Sequence, residues 1–411
     1  MWEFSTDDDD ADADGNAPGD GTADGDLGYT IGQPTVARMA NGAWVAVFGN
    51  GFSSVNNRAV LFIVDIATGT LIRKIDTKVG DASNPNGLAS PILVDYNDDK
   101  IADRAYAGDL WGNMWAFDLS GTDPTKWDVD YQAANLPAPL FTAKDKDDIR
   151  QPITSKPEVT NHPTGGVMVF FGTGKYFDSG DGSAKRKNSF YGIWDDFNAT
   201  NAVPVSGGRN DLLKQEITHE TYTDSSGNSR LSDDVTETAN PFPWDLRVTT
   251  ENSISWGTHK GWYIDLMSPL SFRGWEGERV VSTPLLRDGR VIFSTSIPSL
   301  DPCEYGGTSW LMELSLVDGS RLSVSPFDLN ADGAFNEGDY VEIWVKVNGV
   351  DVKVKVPTSG KKSKVGIIKT PAVIKTKDKE FKFTSGSSGE IEQTLESLSY
   401  RDGRQSWRQL R

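Results

Sequence analysis

Apolar and polar residues alternate along this chain in short runs, and five of those runs open on a proline. Gln33-Pro34-Thr-Val, Ser90-Pro91-Ile-Leu, Lys156-Pro157-Glu-Val, Thr283-Pro284-Leu-Leu and Thr370-Pro371-Ala-Val each predict the start of a short strand. A second strand pattern follows each of them, at residues 44–49, 103–108, 166–172, 290–293 and 380–384. In the first four cases a third, more apolar run then ends in a turn, at residues 61–65, 114–118, 189–194 and 310–314. Strand, turn, strand, glycine, strand is the pattern of one propeller blade. The fold class expected is all-β, a modified β-propeller. The prolines are spaced by 57, 66, 127 and 87 residues, too irregular for a WD-type array, so the longer gaps must hold insertions or a degenerate blade. Five blades are read directly and six to seven are expected. Trp2-Glu3-Phe4 suits an outer strand that pairs with the last blade and closes the ring.

A separate alternation runs through Val341, Ile343, Val345 and Val347, then Asn348-Gly349, then Val350, Val352, Val354 and Val356. It predicts a two-stranded hairpin with a type I′ turn. A lone hairpin is marginal in water, so its valine face is expected to pack within the chain. The organisation expected is a closing strand and acidic insertion over residues 1–27, a propeller over 28–411, and a calcium loop with its hairpin inserted at 327–357.

Charge adds to this picture where it is concentrated. The net charge is −18, and residues 1–37 hold nine Asp and one Glu with no Lys or Arg. That balance argues against nucleic acid and anionic membranes as partners. Asp7 to Asp26 reads as a mobile low-complexity insertion. No run of eighteen apolar residues occurs, and Met1-Trp2-Glu3-Phe4 is not a secretory start, so the chain is expected to begin inside a longer protein. The single cysteine, Cys303, excludes an internal disulfide framework. A free thiol packed as a small apolar group is favoured there over a bridge to sequence beyond this chain or a reactive site.

Two loops carry candidate metal chemistry. Asp95, Asn97, Asp99 and Asp103 place oxygen-bearing side chains at alternate positions, with the Ile101 carbonyl between them, which is how a calcium ion is ligated. The alternative is a solvated acidic turn. Three carboxylates this close weigh against it, because they repel one another unless a cation neutralises them. Strand patterns flank the loop, so it reads as an enlarged hairpin turn. The second candidate is Asp328, Asn330, Asp332, Ala334, Asn336 and Asp339, which fills positions 1, 3, 5, 7, 9 and 12 of a calcium loop, with Gly333 at the sharp turn. Aspartate stands at its last position in place of glutamate. A third acidic run, Asp10, Asp12, Asp14 and Gly15, begins in the same way and then loses register.

Other chemistry is absent from the sequence. His162, His219 and His259 lack zinc spacing, and there is no Gly-x-Ser-x-Gly elbow. Phe171-Gly-Thr-Gly-Lys175 is too short for a phosphate loop. Acid pairs for glycoside hydrolysis are not identifiable among 59 carboxylates.

With repeats and loops in place, the sequence closely resembles the C-terminal propeller domain of the PilC/PilY family, proteins associated with type IV pilus tips. The resemblance rests on Gly28-Tyr-Thr-Ile-Gly-Gln-Pro34, Asn86-Gly-Leu-Ala-Ser-Pro91, the Asp95 to Asp103 loop with Arg104-Ala-Tyr-Ala-Gly-Asp-Leu-Trp-Gly-Asn113, Phe171-Gly-Thr-Gly-Lys-Tyr176, Gly277-Glu-Arg-Val-Val281, Gly306-Gly-Thr-Ser-Trp-Leu-Met-Glu313 and Ser385-Gly-Ser-Ser-Gly389. It implies a non-enzymatic, secreted, extracellular domain at the pilus tip. It implies further that the domain works with minor pilins, with host-cell or abiotic surfaces as further partners, and that Ca2+ occupancy governs pilus extension, retraction, twitching and attachment. Asp95, Asn97, Asp99, Ile101 and Asp103 carry over as the regulatory ligands. Integrin recognition through Arg-Gly-Asp does not carry over, because Arg287-Asp-Gly and Arg401-Asp-Gly have the wrong order. The competing reading is a quinoprotein-like propeller oxidoreductase, which also combines tryptophan-rich blades with calcium but needs its ion at the ring centre.

Overall fold

The computed structural model describes residues 2–11, 23–197, 203–301, 303, 305–377 and 379–397. Its strands form five sheets of three strands or more, and each sheet opens immediately after one of the five prolines. Proline has no N–H to give a ladder, so it is tolerated at the entry of an edge strand and fixes where pairing starts.

Sheet one is β1 (Thr35–Arg38), β2 (Trp44–Gly49), β3 (Val60–Asp65) and β4 (Leu71–Asp76) in simple order. Sheet two is β5 (Ile92–Val94), β6 (Arg104–Gly108) and β7 (Asn113–Asp118), with β8 (Asp128–Val129) and β11 (Phe141–Thr142) both paired to β7; β9 (Tyr131–Ala133) and β10 (Leu136–Ala138) pair with each other. Sheet three runs β12 (Glu158–Asn161), β13 (Val167–Gly172), β14 (Ser189–Asp195), β20 (Gly261–Asp265) and β15 (Leu213–Gln215), the last pairing parallel.

Sheet four has eight strands. From β21 (Leu285–Arg287) and β22 (Arg290–Ser294) it continues through β25 (Trp310–Ser315), β28 (Gly360–Lys362), β19 (Leu246–Thr249), β16 (Ile217–Thr223) and β17 (Ser229–Ser232) to β18 (Glu237–Ala239). A short pair, β23 (Ile297–Pro298) with β24 (Gly307–Thr308), and the hairpin β26 (Val341–Val347) with β27 (Val350–Val356) branch from it. Sheet five is β29 (Ala372–Lys375), β30 (Lys379–Ser385) and β31 (Ile391–Ser397). Among the described residues no further sheet of that size occurs. The long gaps before Pro284 and Pro371, expected to hold insertions or a degenerate blade, supply further strands to sheets three and four.

Successive side chains on a strand point to opposite faces, so each inner sheet feeds two seams. Val45, Val47, Leu61 and Ile63 of sheet one pack with Ala105, Ala107, Trp115 and Phe117 of sheet two. The intervening residues Tyr106, Met114 and Ala116 face Val167, Val169, Phe171 and Tyr191 of sheet three. Phe170, Phe190 and Trp262 then meet Val291, Phe293, Trp310 and Met312 of sheet four. Sheet five is joined differently, by buried charge. Arg290 lies 3.0 Å from Glu313 and 3.5 Å from Glu380, Arg287 pairs with Glu380, and Lys382 pairs with both Glu313 and Glu396. Burial lowers the Lys382 ammonium to about 8.

Two expectations are corrected. Residues 2–5 form no strand: Phe4 packs edge-on against Phe48 and Phe62, and Trp2 Nε1 donates to the Ile66 carbonyl at 2.8 Å. The fragment therefore covers sheet one. It does not pair with the last sheet. Cys303 is exposed, so it is not packed as an apolar group. The hairpin does pack within the chain, but only at its base, where Val341, Ile343 and Val356 are buried. Val347, Val350 and Val352 beyond them are 49%, 63% and 40% exposed. Asn348 and Gly349 have φ of 51° and 81°, as a type I′ turn requires.

The turn between β6 and β7 is held by one buried carboxylate. Asp109 accepts from the amides of Trp111 and Asn113 at 2.8 Å, from Asn113 Nδ2 at 2.8 Å, and from Trp115 Nε1 and Asn86 Nδ2 at 2.9 Å. Asp109→Ala leaves these donors buried without an acceptor. It is expected to lower the unfolding free energy by about 2–4 kcal/mol, read from urea denaturation monitored by tryptophan fluorescence.

Candidate functional site

The first candidate loop connects β5 to β6, where sheet four makes the tight turn Asp288-Gly289. Its side chains are oriented by the loop's own backbone. Asp95 accepts from the amides of Asp98 and Lys100 at 2.6 and 2.7 Å, Asn97 from Asp99 at 2.9 Å, and Asp99 from Ile101 at 2.8 Å. Asp103 closes the loop by accepting from the Tyr96 amide at 3.2 Å. Asp98 and Lys100 take φ of 67° and 70°, which lets the backbone coil tightly between the candidate ligands. Asp103 is buried, Asp95 is half-buried and Asp99 is exposed. Burial, and then the charges of Asp99 and Asp95, push its carboxyl above the usual range. The donor set is all hard oxygen and suits calcium. The three carboxylates are not gathered to within 4.8 Å of one another, the spacing found elsewhere in the molecule.

The second loop leads into the hairpin. Gly333 has φ of 75° at the sharp turn, and its amide donates to Asp328 Oδ2 at 3.0 Å. Asn330 accepts from Asp332 N at 2.9 Å and Asp332 from Ala334 N at 2.7 Å. Asp339 is fully buried, and its two oxygens accept from Leu329 N at 2.8 Å and Asn336 N at 3.1 Å. Position 12 therefore fastens the loop's two ends together, and burial raises its carboxyl above the usual range. Asn336 caps the short turn Glu337–Asp339 through the Gly338 amide at 2.7 Å. Asp328 Oδ1 is buried without a hydrogen-bond partner, which fits a loop whose first residue also has a cation to meet. Removing a ligand here is expected to loosen the hairpin and leave the sheets intact. Hydrogen exchange in Asp332→Ala should speed up across residues 341–356 and stay unchanged in sheets one to three.

The sequence reading missed a third grouping. Asp9, Asp24 and Asp26 bring carboxylate oxygens within 4.8 Å of one another, a spacing that could hold a metal ion. An ammonium already lies among them: Lys74 Nζ from β4 is 3.0 Å from Asp9 and from Asp26, and also pairs with Asp24. Asp9 further accepts from the amides of Asp26 and Leu27 at 2.7 and 2.8 Å. The ends of the acidic insertion are thus fastened to sheet one, contrary to the expectation of a mobile segment for residues 7–11 and 23–26. Asp12, Asp14 and Gly15 of the third candidate run lie outside the described residues. The one available signal was Lys74 itself, a cation in the middle of the apolar strand Leu71-Ile-Arg-Lys-Ile75.

None of the three histidines has a metal-like setting. His162 stacks on Trp194 at 4.3 Å, His219 is buried in β16, and His259 lies in a turn.

A family model of the PilY1 β-propeller domain matches residues 1–228. The chain belongs to this family. A type IV pilus biogenesis factor PilY1 homolog of Xylella fastidiosa (strain Temecula1) is 38% identical over 329 residues, which are 78% of this chain and 20% of that protein. The type IV pilus biogenesis factor PilY1 of Pseudomonas aeruginosa (strain UCBPP-PA14) is 38% identical over 347 residues, covering 78% of this chain and 29% of that one. The chain therefore spans less than a third of the length of these relatives. The crystal structure of the Pseudomonas aeruginosa PilY1 C-terminal domain superposes with a TM-score of 0.69 and 31% identity, covering 90% of this chain and 74% of that one. The PilY1 family thus accounts for the all-β propeller architecture. Among the described residues no helix is long and apolar enough to cross a membrane.

Lys74 carries a prediction of its own. Its partners raise its pKa against the opposing effect of burial, so its contribution to stability is complete below the unfolded lysine value of about 10.4 and is lost as pH climbs through the higher folded value. Lys74→Met is expected to cost about 3 kcal/mol, constant from pH 6 to about 10 and shrinking above it. Urea denaturation of both proteins across that range measures the difference.

Proposed function

We propose that this chain is a calcium-responsive, non-enzymatic domain of type IV pilus biogenesis and adhesion. It acts outside the cell at the pilus tip, with minor pilins as partners, and calcium in the Asp95 to Asp103 loop sets the balance of pilus extension and retraction. The observation that carries the reading is that loop: alternate oxygen side chains, a buried final carboxylate, and a position in a blade turn where a two-residue turn would join the strands. Membership of the PilY1 family supports the pilus role, and the relatives are named as biogenesis factors, which supports a non-enzymatic reading. The second loop has a local structural part, fixing the exit of the β26–β27 hairpin.

Ligand that binds only the folded state stabilises it by about 2.7 kcal/mol at a hundredfold excess over its dissociation constant. Calcium is therefore expected to raise the melting temperature of this chain, chelator to lower it, and Asp99→Ala to remove most of the shift. In cells carrying the full-length protein, Asp103→Ala should alter surface piliation and twitching while secretion stays normal. Normal motility in that variant, with calcium binding at the loop lost, would make the ion a structural staple alone.

A further inference from the structure

The first loop meets the segment that follows β14 at Phe197. Tyr96 lies inside the loop and Arg104 begins the strand that leaves it; both meet Phe197, which follows β14. The Tyr96 and Phe197 ring centroids are 5.0 Å apart, and the Arg104 guanidinium lies 4.2 Å over the same Phe197 ring. Arg104 also pairs with Asp130 and lies 3.6 Å from Asp195.

Asp195 is the buried centre of this contact. It accepts from the Tyr106 hydroxyl at 2.6 Å, from the Tyr131 hydroxyl, and from the Phe197 amide at 3.2 Å. Two tyrosines and an arginine of the sheet-two region thus converge on one carboxylate of sheet three. Phe197 has φ of 53°, a conformation that costs energy in a residue with a β-carbon and persists where the surroundings hold it. Its ring packs against the apolar seam between sheets two and three.

We propose that Phe197 relays the state of the calcium loop to the seam between sheets two and three. The inference rests on the calcium reading of that loop. Asp103 accepts from the Tyr96 amide and is bonded through one peptide to Arg104, so the two groups that hold the Phe197 ring are both fixed by a single candidate ligand. A cation that draws Asp95, Asp99 and Asp103 together holds Tyr96 and Arg104 in place. Without it the carboxylates repel, and the Tyr96 face of the clamp is released. A ligand shifts a conformation only by the difference in its contacts with the two states; here the gathered carboxylates supply that difference, and the clamp on Phe197 carries it to the seam. The loop's tie to sheet one, from Ala102 N to the Arg38 carbonyl at 2.9 Å, is a backbone bond that substitutions at Phe197 leave alone.

Hydrogen exchange on this chain, with calcium or with chelator, tests the relay. In the wild type calcium is expected to slow exchange in the loop and also, by about fivefold or more, in β6 and β14. Phe197→Ala should keep calcium binding by calorimetry and protection within the loop, while exchange in β14 becomes independent of calcium. Tyr96→Ala, a change at a half-exposed side chain that does not burden folding, should uncouple β14 in the same way, and Tyr96→Phe should restore the response. A calcium response in β14 that survives both alanine variants overturns the relay, as does a wild type in which the loop responds and β14 does not. A wild type with no calcium response in the loop overturns the calcium reading first, and the relay with it.

Discussion

Every inner sheet in this molecule has two faces that must leave water, and that constraint organises the rest. A sheet buried on both faces needs a neighbour on each side; the strands that follow the prolines take the sheets in chain order, and the seams between them become the core. Aromatic side chains fill three of those seams, with Trp115, Trp262 and Trp310 almost wholly buried. The strands end where the seams end, and the connecting turns are left free to vary. A turn can then be enlarged from two residues to nine, as at Asp95 to Asp103, while the strands on either side of it keep their pairing.

The strand starts were legible because proline and period-two alternation mark the same places. All five first strands begin one residue after their proline, and the hairpin from Val341 to Val356 appears in the register its valines set, with Val341 opposite Val356 and Val347 opposite Val350. Polar alternation was harder to read. In Lys379-Glu-Phe-Lys-Phe-Thr384 the charged positions look like a solvent face, yet Glu380 and Lys382 are fully buried against Arg290 and Glu313. A sequence pattern shows that two faces differ; whether the polar face meets water or complementary charge depends on residues about seventy to ninety positions away. The same limit hid the Lys74 cluster, whose carboxylates lie some fifty to sixty-five residues upstream.

The two candidate loops and the Lys74 cluster solve one electrostatic problem in different ways. Carboxylates brought close must be neutralised or they push apart. At Asp9, Asp24 and Asp26 the chain supplies its own cation from β4, and the result is a permanent fastening. In the loops the candidate carboxylates have no ion pair of that kind; backbone amides hold part of the charge, Asp328 Oδ1 lacks a hydrogen bond, and Asp103 is held above its ordinary pKa. An internal ammonium makes a joint insensitive to the solution around it, whereas a loop left short of positive charge stays responsive to ions outside.

The outer half of the β26–β27 hairpin bears on how copies of this protein behave beside one another. Its uncovered valines form an apolar strip, and a two-stranded ribbon with open edges is a template for edge-to-edge pairing. Along β27 the opposite face carries Asp351, Lys353 and Lys355, and Lys346 stands on β26, so the strip is backed by well-hydrated groups that resist sheet stacking. Each molecule also carries −18. Charge repulsion between copies of this chain therefore opposes what the strip alone would favour, and its reach shrinks to about 8 Å at physiological ionic strength. Added salt should therefore favour association of copies of this chain through a ribbon that occupies fourteen strand positions.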